Sequence, residues 1–381
     1  MTTPMHLPPL LYPQTPTIAR AIYKTYSQDF IVEEQLTIDF SEQGEHLWLQ
    51  LQKTGLNTAY VARLLAQWAQ IPVKDVGYSG LKDRHAVTTQ WFSLRLPHKH
   101  LPAADFAQSM ATTLADGERI TMLAQHWHGK KLQRGTHTGN RFDITLREVQ
   151  CADRAAFNKQ LTQITHDGVP NYFGSQRFGY DGQNLAHALT WFAKTNAKSR
   201  TPSKRKNAMR HATGLYLSAA RGALFNAMVA QRVQDGTWQT PLDGEVMNLA
   251  GSHSVFTAPT IDDSLRARLV AGDLYLTAAL WGDGLPMSSA QVQALELAVI
   301  GSNECYQALA EGLAAFGIHQ ERRAMRVVPQ RLTANWHDNA TLTLRFDLPT
   351  GSFATVVLGA LVQDLVLAAS GMDTSGDDAL A

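Results

Sequence analysis

The sequence predicts an α+β fold built on a largely antiparallel sheet. Period-two segments mark strands, 3.6-period stripes mark helices, and the two occur in mixed order without regular βαβ alternation. A third observation sets the scale: 381 residues is long for one core, so two domains are expected.

In chain order, HLWLQLQ (residues 46–52) puts Leu47, Leu49 and Leu51 on one face of a strand. Asn57 is placed to cap the helix NTAYVARLLAQWAQ, with Val61, Leu64, Leu65 and Trp68 as its stripe. The run from Val87 to Leu96 reads as a strand entered through a bend at Gly80. RFDITLR (141–147) alternates on Phe142, Ile144 and Leu146. A long helix, YLSAARGALFNAMVAQRV, stacks Leu217, Leu224, Phe225 and Met228. TLTLRFDL (341–348) closes the series with Leu342, Leu344, Phe346 and Leu348. In each strand the alternation predicts a covering layer on one face only. Strand patterns crowd before about residue 150 and return after about residue 330, which fits a sheet domain interrupted by an insertion.

Composition narrows the class. Charged residues make up 18%, with 44% hydrophobic, which argues against a disordered chain. Cys151 and Cys305 have neither metal nor redox spacing, so a reduced, cytoplasmic setting is expected. The proline-rich N-terminus is a poor signal peptide, and FATVVLGALVQDLVLAAS is broken by Gln363 and Asp364, so no bilayer span is expected. The tail SGMDTSGDDALA is expected to be disordered.

The formal charge of +1 excludes an argument from global charge, but its distribution is uneven. Residues 182–234 contain no Asp or Glu and nine cations: Lys194, Lys198, Arg200, Lys204, Arg205, Lys206, Arg210, Arg221 and Arg232. Residues 119–142 are also acid-free, with Arg119, Lys130, Lys131, Arg134 and Arg141. Such windows are solvated loops or phosphate-binding surfaces, and two in one chain shift the reading towards nucleic acid. The basic loop 199–214 would order on RNA. His126, His128 and His137 have no carboxylate or cysteine at ligand spacing, so no metal site is expected.

One segment raises a chemical question. SGLKDRHAVTTQWFS (79–93) sets Asp83 between Lys82 and Arg84. Such a carboxylate is either a turn residue among cations or a group kept ionised to act as base or nucleophile, and spacing leaves both open. If the segment is extended, Lys82 and Arg84 point away from Asp83, and its ion-pair partner comes from elsewhere.

The blocks SQDFIVEE (27–34), GLKDRHAVTTQWFS (80–93), GNRFDITLRE (139–148), GVPNYFGSQRFG (168–179), LSAARGALFN (217–226), DGEVMNLAG (243–251) and LPTGSFATVVL (348–358) follow one another in a familiar order. The chain resembles the TruD family of tRNA pseudouridine synthases over nearly its whole length. Resemblance implies a pseudouridine synthase-type catalytic sheet domain, residues 1–167 plus 328–381, interrupted by an inserted TruD-type domain, 168–327. It implies isomerisation of uridine to pseudouridine at position 13 of tRNA, by a cofactor-independent route with no redox cofactor, nucleotide or metal. By the same resemblance Asp83 is catalytic, Lys24 is a candidate partner for it, Phe353 is a stacking platform, and Phe30 and Asn140 contact substrate. For NYFGSQRFG, a packed turn and an RNA-backbone contact through Gln176 or Arg177 both stay open. A monomer would suffice.

Overall fold

The computed structural model describes residues 9–179, 182–198 and 213–368. Its contacts divide the chain into two compact units, one of residues 16–166, 329–354 and 361–381, the other of 1–15, 167–328 and 355–360. The described part of 1–15 and the segment 355–360 thus group with the middle of the chain rather than with the sheet built around them.

The first unit begins with β1 (Ile18–Tyr23), β2 (Phe30–Gln35), β3 (His46–Thr54), α1 (Thr58–Trp68), β4 (Val76–Tyr78), β5 (Val87–Arg95), α2 (Phe106–Ala111), β6 (Arg119–His128), β7 (Gly139–Gln150) and α3 (Arg154–Asp167). The second unit holds β8 (Val169–Pro170), α4 (Gln183–Lys198), α5 (Thr213–Gln234), β9 (Glu245–Leu249), β10 (Val255–Ala258), α6 (Asp263–Ala271), β11 (Leu274–Leu280), α7 (Ala290–Gly301), α8 (Glu304–Ala315), β12 (Glu321–Ala324) and β13 (Arg326–Val327). The chain then returns through β14 (Gln330–Trp336), β15 (Leu342–Pro349), α9 (Ala354–Leu361) and β16 (Val362–Leu367).

The sheet of the first unit runs β14-β15-β7-β2-β5-β3-β6, with β1 joining β7 to β16 and β4 added to β5. It is mixed: β2–β5 and β1–β16 are parallel and the other pairs antiparallel. Asn57 Oδ1 caps α1 by accepting from the Tyr60 amide at 2.8 Å. The α1 stripe buries Val61, Leu64 and Leu65 on Leu47, Leu49, Leu51, Phe92 and Leu94.

The expectation of a one-sided cover fails at β3 and β5. Trp48, on the opposite face, is only 1% exposed, because it packs with Trp91 and Leu132 beneath Leu36, Ile38 and Phe40. The polypeptide after β2 folds back as a lid, which period-two reading cannot register.

Register carries the α1-covered face across the sheet. Lys53 pairs with Thr88, Thr88 with Val32, Val32 with Phe142, and Phe142 with Phe346. One step along, Glu34 pairs with Asn140 and Asn140 with Leu348. Leucines under α1 therefore give way to polar groups on the same surface.

In the second unit, α5 buries Leu217, Leu224, Phe225 and Met228 and packs on β11, α4 and α8. The acid-free window 182–234 does not form one basic patch. Arg232, 2% exposed, donates to Glu245 Oε1 at 2.8 Å and to the carbonyls of Thr237 and Thr240. Arg221 binds the carbonyls of Leu280 and His319 and pairs with Glu321. In the other window, Arg141 pairs with Glu33 and Asp347. The basic loop 199–214 falls outside the described residues except at Thr213 and Gly214, and the acidic tail lies outside them as well. Among the described residues no helix is long and apolar enough to cross a membrane.

Burial pushes the Glu245 carboxyl up, and Arg232 works against that push without cancelling it. Arg232→Met should therefore cost about 3–5 kcal/mol in chemical denaturation, since an uncompensated buried acid is left behind. Arg232→Met combined with Glu245→Leu should recover most of the loss.

Candidate active site

At the end of β1 the chain turns through Lys24, whose φ of 59° lies in the left-handed region that a non-glycine residue adopts only at a cost. Its ammonium pairs with Asp83 Oδ2, with side-chain exposures of 6% for Lys24 and 23% for Asp83. The same ammonium lies 4.5 Å from the Phe30 ring centroid and 5.8 Å from that of Tyr23. Lys24, Phe30 and Asp83 thus meet in one place.

The loop that presents Asp83 is fixed mainly through its backbone. Lys53, 1% exposed, donates to the carbonyls of Leu56, Lys82 and Asp83, the last at 3.1 Å. The Lys82 amide donates to Thr58 Oγ1, which in turn donates to Gln90, and the Gln90 amide reaches the Gly80 carbonyl at 3.1 Å. The His85 amide donates to Asp83 Oδ1 at 2.8 Å, leaving the carboxylate held at both oxygens.

The flanking cations turn elsewhere. Lys82 Nζ pairs with Glu34 Oε2 at 2.8 Å, both side chains almost fully buried. Arg84 Nε donates to the Gly55 carbonyl. Gly80 supplies space rather than a special bend: a Cβ there would lie 3.0 Å from His137 Cε1 and 3.3 Å from Lys82 Nζ. His137 is itself bonded to Ser79 Oγ at 2.6 Å.

Burial pushes the Asp83 carboxyl up, but the Lys24 charge and hydrogen bond, with the His85 amide, outweigh it and hold the group below the usual aspartate value. Tyr23 moves up, through burial and then through the Asp83 charge. His137 moves down, through burial and then the Lys82 charge, against an opposing pull from Glu34. The site consequently keeps one partly exposed anion among groups that stay protonated or neutral near pH 7.

Behind the ion pair lies an aromatic bed. Phe30, 6% exposed, meets Phe142 edge-on at 6.3 Å, and Phe142 stacks on Phe346 at 5.4 Å. Asn140 stands on this face as the register partner of Glu34, and its buried Oδ1 has no hydrogen-bond partner. Phe353 is half-buried just before α9, five residues beyond Leu348, the register partner of Asn140. Lys24 touches both Asp83 and the Phe30 ring, Asn140 shares the sheet face of Phe30, and Phe353 follows the strand paired to Asn140.

Three contributors were not picked out from the sequence: Glu34, Lys53 and His137 in its role beside Gly80. Glu34 had a signal. Phe30, Val32 and Glu34 alternate, so a carboxylate on the apolar face required a buried cation. Lys53 and His137 had none, because their partners lie on distant strands and loops. His126 and His128 serve packing, with His126 stacked on Phe40 at 4.3 Å and bonded to Glu42 at 2.7 Å. Among the described residues no cluster of three His, Cys, Asp or Glu side chains could hold a metal ion.

A partly exposed carboxylate kept charged against its own burial is the arrangement a catalytic base or nucleophile needs. A family model described as tRNA pseudouridine synthase D (TruD) matches residues 12–190 and 202–360. The tRNA pseudouridine synthase D of Psychrobacter arcticus is 45% identical, covering 96% of this chain and 96% of its own length. That of Xanthomonas campestris is 44% identical, covering 90% of this chain and 92% of its own. Among solved structures, a Methanosarcina mazei protein described as tRNA pseudouridine synthase D matches with a TM-score of 0.64 over 93% of this chain and 96% of that one; at 20% identity this shows a common fold. The chain belongs to the tRNA pseudouridine synthase D (TruD) family.

Lys24→Met should leave burial as the dominant influence on Asp83 and raise its pKa. For a reaction that uses the ionised Asp83, the acid limb of the single-turnover rate should move to higher pH in the variant. A pH–rate profile that coincides with that of the unaltered protein would show that Lys24 does not set the charge of Asp83.

Proposed function

We propose that the protein isomerises uridine to pseudouridine in tRNA, at position 13 as its family implies, with Asp83 as the catalytic carboxylate. The observation that carries this reading is the Lys24–Asp83 ion pair set on the Phe30 ring. In the reaction the N1–C1′ bond breaks, the base turns, and a C5–C1′ bond replaces it; the C5 proton leaves and N1 gains one. No atom is gained or lost overall, so the balance requires no oxidant, reductant or group donor.

An ionised Asp83 serves either route open to a carboxylate, attack at an electrophilic carbon or removal of the 2′ proton to give a glycal. We favour the second. The proton taken from C2′ is then returned to the same carbon as C5 bonds to C1′. Lys24 holds the carboxylate ionised and oriented in the free enzyme, and Lys53 fixes the backbone that carries it.

The uridine must leave its stack to reach this group. Phe353 is assigned as the ring against which it rests. The unsatisfied Oδ1 of Asn140 can accept from the N3–H of uracil or a ribose hydroxyl, relieving a buried acceptor. Phe30 supports Lys24 from beneath. In domain terms we read residues 1–167 with 328–381 as the catalytic part, 168–327 as the inserted part, and the working form as a cytoplasmic monomer.

Asp83→Asn should bind tRNA with near-normal affinity and form no pseudouridine, as read by carbodiimide labelling and primer extension. An active Asn variant refutes the assignment; pure wild-type protein that binds tRNA but leaves it unmodified would make this an RNA-binding protein without catalysis. Phe353→Ala should lower kcat/KM by about 1–3 kcal/mol, the worth of stacking one base.

A further inference from the structure

In the frame around Asp83 the polar side chains are nearly all engaged by the protein itself. Lys24 pairs with Asp83 and Lys82 with Glu34, while Thr58 and Ser79 bond Gln90 and His137. Two atoms stand apart. One is Asn140 Oδ1, described above. The other is the Tyr23 hydroxyl, on a half-buried side chain: it has no hydrogen-bond partner among the described residues and is not sealed from solvent.

Register fixes where Tyr23 stands. On β7, Asn140, Ile144 and Leu146 share one face, and they pair with Glu34, Phe30 and Tyr23 in that order. Tyr23 therefore lies on the face of Phe30 and Asn140, on the far side of Phe30 from Asn140. Its ring centroid is 6.4 Å from that of Phe30 and 5.8 Å from the Lys24 ammonium, which pairs with Asp83. Along the strand the order is an acceptor at Asn140, the ion pair over Phe30, and a hydroxyl at Tyr23. Phenylalanine would fill the same space, so packing explains the ring and leaves the hydroxyl over. Burial and then the Asp83 charge push the Tyr23 phenol up, so near neutral pH it keeps its proton and can donate. The Asp83 oxygens bond Lys24 and the His85 amide instead.

We propose that Tyr23 is a further substrate contact, its hydroxyl donating to a phosphate oxygen beside the nucleotide that is modified. The inference rests on the catalytic reading of Asp83 and deepens it. That reading sets the ribose at Asp83 and the base towards Asn140. The next group outward, on the side of Phe30 where Tyr23 stands, is a backbone phosphate. A phenol donates one hydrogen bond and brings no charge to compete with Lys24 for Asp83. Such a contact positions the RNA without reading its sequence.

Tyr23→Phe keeps the ring and removes only the hydroxyl. It should weaken tRNA affinity about three- to ten-fold, the worth of one neutral hydrogen bond, and leave Tm unchanged. The slope of log K against log salt should also stay the same, because no charge is lost. The acceptor is then removed from the other side, with tRNAs carrying a methylphosphonate linkage 5′ or 3′ of the target nucleotide. Each is compared with the phosphodiester of the same 2′-deoxy sugar. At one of the two linkages, Tyr23→Phe and the unaltered protein should bind alike. Unchanged affinity for ordinary tRNA, a loss that comes only with a fall in Tm, or a loss that persists at both linkages overturns the proposal. If Asp83→Asn is inactive and Tyr23→Phe binds every RNA normally, this inference alone falls. If the binding pattern holds while Asp83→Asn still forms pseudouridine, the phosphate contact stands and the catalytic assignment falls instead.

Discussion

A carboxylate withdrawn from water stays charged only if a cation follows it in, and at Asp83 that cation is Lys24. The neighbouring geometry follows from this requirement. Lys24 takes a left-handed backbone at the end of β1, with its ammonium over Phe30. The two nearest cations in sequence are engaged elsewhere, Lys82 with Glu34 and Arg84 with a carbonyl, so neither competes for the carboxylate. Lys53 donates to three backbone carbonyls, two of them in the loop that carries Asp83. Buried cations fix the frame, and one of them faces the single partly exposed anion.

The frame depends on strands that come from the two ends of the chain. β15 pairs with β7 along eight residues, from Leu342–Leu146 to Pro349–Gly139, and β16 lies parallel to β1. The first pairing completes the sheet beside Asn140 and sets the point from which Phe353 follows. The second pairs the strand that leads into Lys24. Such contacts close very long loops, whose entropy rises only slowly with length, so the long stretch of chain between them is tolerated thermodynamically while slowing the search for the native pairing.

The arginines show why a charge run in sequence is ambiguous. Arg232 and Arg221 belong to one acid-free window, yet Arg232 is sealed against Glu245 and Arg221 binds the carbonyls of Leu280, at the end of β11, and His319. Absence of acids nearby in sequence says nothing about acids nearby in space.

The sequence by itself determined the local structure, because that information is local. Asn57 and its stripe specified α1, the alternation of Leu47, Leu49 and Leu51 specified the buried face of β3, and the resemblance identified Asp83 within a family. It did not determine the second cover over Trp48, since that depends on where residues 36–40 fold. It could name Lys24 as a partner for Asp83 only by resemblance, and it gave no means of finding Lys53 or His137. Those assignments were decided by tertiary structure alone: register across β3, β5, β2 and β7 sets which side chains share a face, and low-dielectric burial then decides which charges must pair.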